Sequence, residues 1–146
     1  MSTLQVCVVS DISRPVAAVW DKAAAFCAIA AWHPFIAESG PEAEPGPNGG
    51  LVRTLTTRDG ETLQEELLSC DHVARRIRYA ITDSPFPVSF YRAEILVSEK
   101  ELADSCRITW TAEFEPENQA DGPRLHRLFE DEVFRAGIHA LASDPE

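Results

Sequence analysis

The second half of the chain sets the strongest constraint on its fold. Five segments, 51–57, 62–70, 75–82, 88–98 and 105–114, follow one another with only short breaks between them. Each is rich in β-branched and aromatic residues. The breaks carry turn chemistry: Asp59-Gly60, Asp71-His72, Pro85-Phe86-Pro87 and Glu101 to Asp104. Strands joined by such short turns must pair antiparallel, because a parallel partner needs a crossover of a dozen or more residues. A sheet of this kind buries one apolar face, and something must cover it.

The end of the chain supplies the cover. Asp121-Gly122-Pro123 opens a helix over about 122–142, with Leu125, Leu128, Phe129, Val133, Gly137, Ile138 and Leu141 along one side. Twenty helical residues reach ~30 Å, enough to lie across a whole sheet. Upstream, residues 3–12 read as a strand through Val6, Cys7, Val8 and Val9. Ser13-Arg14-Pro15 reads as a helix start, with Ser13 as the cap and Val16, Val19, Trp20 and Ala23 at helical spacing. A second short helix over Cys27 to Ala31 must stop at Trp32-His33-Pro34, since Pro34 disfavours helical angles at His33. A short strand from Phe35 to Ser39 then leads into a Gly- and Pro-rich stretch, 39–50, expected to be a mobile connection or a lid.

The expected architecture is α+β, a single domain over residues 1–146: one strand, two short helices, about six strands, one long helix. A curved sheet closing on a helix leaves an apolar hollow, a usual place for a small ligand.

Alternation assigns residues to that hollow. Leu63, Glu65 and Leu67 share one face of their strand, and Leu51, Arg53 and Leu55 share one face of theirs. A three-residue loop with Gly60 in the left-handed region pairs Thr57 with Glu61, Leu55 with Leu63, Arg53 with Glu65 and Leu51 with Leu67. Both apolar sets then fall on one side, with an Arg–Glu pair among them. A two-residue loop would shift the register by one and destroy the match. Burying such a pair gains little stability, so it reads as a polar anchor for a ligand; the alternative is an exposed cross-strand pair at a sheet edge. Tyr79, Tyr91 and Trp110 join the inward set by the same alternation, each an apolar ring with one polar atom, either facing a ligand or satisfied within an ordinary core.

Composition removes several partner classes. With 13 Lys+Arg against 24 Asp+Glu, the net charge is −11 and the isoelectric point about 4.7. That argues against nucleic acid and against an anionic membrane surface. No apolar stretch of 18 residues is present, so no membrane span is expected. Met1 to Gln5 lacks a basic region and Asp11 interrupts the first apolar run, unlike a secretory signal. Cys7, Cys27, Cys70 and Cys106 form no C-x-x-C, which suits reduced thiols and a cytoplasmic location. His72, His126 and His139 read as surface residues, so neither a metal nor another cofactor is expected. Glu113, Glu115, Glu117 and Asp121 read as a solvated face.

Several local patterns, in order, resemble the START-like (helix-grip, SRPBCC) superfamily, nearest its polyketide cyclase/dehydrase-like branch. They are Ser10-x-Ile12-x-x-Pro15-x-x-x-Val19-Trp20, Phe26, Trp32-His33-Pro34, Gly50-x-Val52-Arg53 and Glu65-x-Leu67. Tyr79-x-Ile81, Ser84-Pro85-Phe86-Pro87-Val88, Tyr91 and Trp110-x-Ala112-x-Phe114 complete the set. The resemblance implies a seven-stranded antiparallel sheet wrapped round the C-terminal helix with an internal cavity. It says less about activity, because this fold hosts carriers, cyclases and proteins without known reaction.

The expected ligand is a hydrophobic or aromatic small molecule, lipid- or polyketide-like, contacted by Trp32, His33, Arg53, Glu65, Tyr79, Tyr91 and Trp110. The alternative is a cyclase or dehydratase with His33 or Glu65 as acid/base, His33 because its intrinsic pKa near 6.5 suits proton transfer. A protein-interaction module is a third reading. The oligomeric state stays open.

Overall fold

A computed structural model describes residues 3–143. Strand β1 (Leu4–Ile12) leads into helix α1 (Val16–Ala24) and a 3-10 helix (Phe26–Ala31). Six strands follow: β2 (Ile36–Pro41), β3 (Val52–Thr57), β4 (Thr62–Asp71), β5 (Arg76–Asp83), β6 (Val88–Glu99) and β7 (Cys106–Pro116). They form one antiparallel sheet in the order β1-β7-β6-β5-β4-β3-β2, so the first strand closes on the last. A 3-10 turn (Gln119–Asp121) starts the C-terminal helix. That helix runs as α2 (Gly122–Arg127), a π-helical segment (Leu128–Arg135) and α3 (Ala136–Ser143).

The β3–β4 hairpin adopts the expected register. Thr57 N–H donates to Glu61 O, Gly60 sits at φ +91°, and Arg53 pairs with Glu65 and Leu55 with Leu63. Leu51 departs from expectation. It lies just before β3 and is 44% exposed, because the chain turns there into the preceding loop. Ser13 provides no cap; Pro15 occupies the N-cap of α1 without a side-chain bond.

The π-helical segment explains the other departure. Its turn takes an extra residue, so the inward face passes from Leu125 and Phe129 to Phe134, five positions on, then to Ile138 and Leu141. Phe134 is fully buried and stacks on Trp110, with ring centroids 4.8 Å apart and planes 16° apart. Leu128 and Val133, expected inward from a regular 3.6-residue period, are only half-buried.

The core fills the concave side of the sheet, between β1 and β5–β7 and the helices. A smaller cluster of Ile29, Ile36, Leu55 and Leu63 closes the β2–β4 side. Between the two lies the hollow.

Candidate ligand-binding hollow

Arg53 and Glu65 face each other across β3 and β4 inside the molecule, 4% and 6% exposed. Arg53 donates from Nε (2.9 Å) and Nη2 (2.5 Å), both to Glu65 Oε1. Its Nη1 donates to Phe26 O at 2.6 Å, tying the start of the 3-10 helix to the sheet. The guanidinium lies 3.9 Å from the centre of the Phe26 ring and 4.9 Å from that of Tyr79. Rings and a carboxylate thus replace water around a fully charged group. Glu65 Oε2 stays outside the pair.

Trp110 Nε1–H donates to the Tyr79 hydroxyl at 3.1 Å, and Tyr91 lines the hollow beside them. Burial raises the pKa of both tyrosines, so they stay protonated at any working pH. Phe129 packs edge-on against Tyr91 (4.9 Å), Phe86 (5.5 Å) and Phe114 (5.0 Å), forming an aromatic wall.

His33 holds the helix in place. Phe35 N–H donates to its Nδ1 at 3.1 Å, which leaves the proton on Nε2, and Nε2–H donates to Val133 O at 2.7 Å. Burial, only partly countered by the Val133 bond, holds its pKa down to about 4. The ring is neutral near pH 7 with both nitrogens occupied. Gly137 makes this approach possible: a Cβ there would sit 2.7 Å from Trp110 Cζ3 and 2.9 Å from His33.

The hollow is bounded by Ile29, Leu55, Leu63 and Phe129 together with Arg53, Glu65, Tyr79, Tyr91, Trp110 and His33. The space left to the centre of a water molecule is about 30 Å³, room for one or two waters. Phe35, Ile81, Phe86 and Val133 also line it and are only half-buried, so they mark its mouth. Trp32 stands apart. It lines a smaller gap behind Arg53, between Phe26 and Ile95, and its Nε1 has no hydrogen-bond partner among the described residues. Of the seven residues expected at a ligand, six therefore meet at one hollow and Trp32 borders the next.

Comparison with known proteins decides the family. The family model described as polyketide cyclase / dehydrase and lipid transport matches residues 3–145. The chain belongs to that family. Among solved structures, this cyclase/dehydrase and lipid-transport family member is similar to a Thermobifida fusca protein solved by NMR. The two are 30% identical with a TM-score of 0.82, over 94% of this chain and 90% of that one. It is also similar to protein XoxI from Bacillus cereus, at 27% identity and TM-score 0.81, over 97% and 94%. The Zhui aromatase/cyclase from Streptomyces shares the fold at 17% identity and TM-score 0.75, over 97% and 92%. No protein among those with curated descriptions matches the sequence. Among the described residues, no helix is long and apolar enough to cross a membrane.

Sequence reasoning missed one buried carboxylate in this family member. Glu66 alternates away from the hollow, toward the convex face, yet is 0% exposed. Its carboxylate accepts from Asn48 N–H (3.0 Å), Asn48 Nδ2 (3.1 Å) and Gly50 N–H (2.7 Å). These bonds fasten the 42–51 loop against the sheet, and residues 39–41 belong to β2 rather than to the loop. A lone Glu facing outward gave no signal of this. The Gly- and Pro-rich loop with Asn48 was the available clue, since such a loop offers free backbone donors.

Proposed function

We propose that this protein binds a hydrophobic or aromatic small molecule in the hollow between the sheet and the C-terminal helix, with Arg53 and Glu65 as its polar anchors. The observation that carries the reading is a desolvated ion pair beside Tyr79 and Tyr91 in an otherwise apolar chamber. Such a pair gains little stability over well-packed apolar side chains, so its placement fits recognition better than packing. A ligand larger than water enters by spreading the half-buried mouth residues Phe35, Phe86 and Val133. The family match supports ligand binding as the class of function.

The binding reading is preferred over a cyclase or dehydratase reaction because His33 has both ring nitrogens bonded within the protein. Proton transfer would fall to Glu65 alone. Denaturing the purified full-length protein and extracting it for mass spectrometry tests the reading. A ring-bearing or acyl compound is expected in the extract. No extracted compound, together with no uptake of added single-ring hydrocarbons at millimolar concentration, would overturn it.

A further inference from the structure

We propose that Asn48-Gly49, at the tip of the 42–51 loop, is a site of spontaneous deamidation, and that the buried Glu66 carboxylate sets its rate by holding the loop closed. The modified residue no longer fits the clasp, so the change opens the loop one way.

The sequence supplies the reactive pair. Asparagine is a thermolabile residue, and a following glycine leaves the next backbone nitrogen with no side chain to shield it. The chain has a second asparagine, Asn118, but Gln119 follows it. Asn48 and Gly49 are both exposed, so water reaches them. In the reaction the Gly49 nitrogen attacks Asn48 Cγ. An N–Cγ bond forms, the Cγ–Nδ2 bond breaks, and Nδ2 leaves as ammonia with the proton that the Gly49 nitrogen gives up. Water then opens the cyclic imide at one of its two carbonyls, leaving an aspartate or an isoaspartate at position 48. Nothing is oxidised or reduced, and water is the one co-reactant.

The closed loop withholds both reacting atoms. Gly46 to Gly50 forms a tight turn. Gly46 N–H donates to Gly50 O and Gly49 N–H donates to Gly46 O, both at 2.9 Å, with Gly49 at φ +80°. The nitrogen that must lose a proton thus has that proton in a hydrogen bond. Asn48 Nδ2 donates to Glu66 Oε1 at 3.1 Å, and Asn48 N–H donates to Oε2 at 3.0 Å. The side-chain amide is therefore held on a carboxylate, whose charge makes Cγ a poorer electrophile. Reaction passes through the opened loop, and its rate follows how often the loop opens.

The product undoes the clasp. Deamidation replaces the Nδ2 donor with a carboxylate beside Glu66, which is 0% exposed. Two like charges so placed disfavour the closed loop. An isoaspartate also adds a carbon to the backbone and spoils the turn that presents the Asn48 and Gly50 N–H groups to Glu66.

Mass spectrometry of the full-length protein, incubated at mildly alkaline pH and then briefly digested with trypsin, tests this. Peptide 23–53 contains Asn48 as its single side-chain amide, so a gain of one mass unit there reports the reaction. Wild type unfolded in guanidinium should convert at least ~10-fold faster than folded wild type, and Glu66→Ala, shown by melts to be folded, should recover most of that difference. If Glu66→Ala does not fold, Glu66→Gln takes its place, with a rate at least ~3-fold above folded wild type. Gly137→Ala, weakened at the distant helix, should keep the wild-type rate. Equal rates in folded and unfolded wild type, or a folded Glu66 variant as slow as wild type, overturn control by Glu66. No conversion even of the unfolded chain overturns the site itself. Asn48→Asp supplies the product directly: amide exchange at Gly50 should rise at least ~10-fold, and unchanged exchange overturns the one-way opening.

Discussion

Glu65 and Glu66 are neighbours in the chain, yet their carboxylates are buried on opposite faces of the same sheet. Glu65 turns into the hollow against Arg53; Glu66 turns outward beneath the 42–51 loop, held by Asn48 and Gly50. Strand alternation sends them apart, and separate partners satisfy each. The two substitutions should therefore have separable effects.

Glu66→Ala removes the acceptor for three N–H groups, two of them backbone. With the loop donors released, the expected loss is about 2–4 kcal/mol of stability. Amide exchange should rise at Asn48 and Gly50 while the Arg53–Glu65 side stays protected. Denaturant melts with residue-resolved hydrogen exchange read both, and unchanged exchange at Gly50 would refute the clasp.

Arg53→Ala strands the Glu65 carboxylate and should cost ~3–5 kcal/mol. Replacing both partners, Arg53→Met with Glu65→Leu, removes both desolvation costs and should recover most of that loss. A double-mutant cycle by chemical denaturation measures it. Additive single effects would show that the pair is not coupled.

Acid should loosen the helix through His33. Its folded pKa, about 4, lies below the ordinary value of 6.5, so the unfolded chain binds the extra proton first. Stability from this group is complete above pH 6.5 and falls as pH drops toward 4, by about 3 kcal/mol in all. Protonating Nδ1 also ends its acceptance from Phe35 N–H. His33→Gln should flatten the slope of unfolding free energy against pH between 4 and 6.5, read from urea melts at stepped pH.

Gly137→Ala tests the close approach at the helix. In an exposed helix the change would gain up to ~1 kcal/mol. Here the new methyl meets Trp110 and His33 inside 3.0 Å, so a net loss of about 1–3 kcal/mol is expected in thermal melts. A stabilised variant would mean that the helix stands off from His33.

Much of this was legible in the sequence because it depends on short-range rules. Turn chemistry at Asp59-Gly60 set the hairpin register, and that register brought Arg53 opposite Glu65. Phe134 was not legible, since a regular period of 3.6 passes over it and only the π-helical turn brings it onto Trp110. The burial of Glu66 depends on a loop folding back from 16–18 residues earlier, which alternation along a strand does not encode. The occupied state of His33 depends on Val133, a hundred residues away.

Methyl-resolved NMR of the full-length protein during titration with a single-ring hydrocarbon tests the central claim most directly. The account predicts saturable shifts at the methyls of Ile29, Leu55, Leu63 and Ile81, which line the hollow, with none at the exposed Val73 and Leu102 on distant turns. Shifts confined to Val73 and Leu102, or none at all, would contradict a chamber that opens to a ligand.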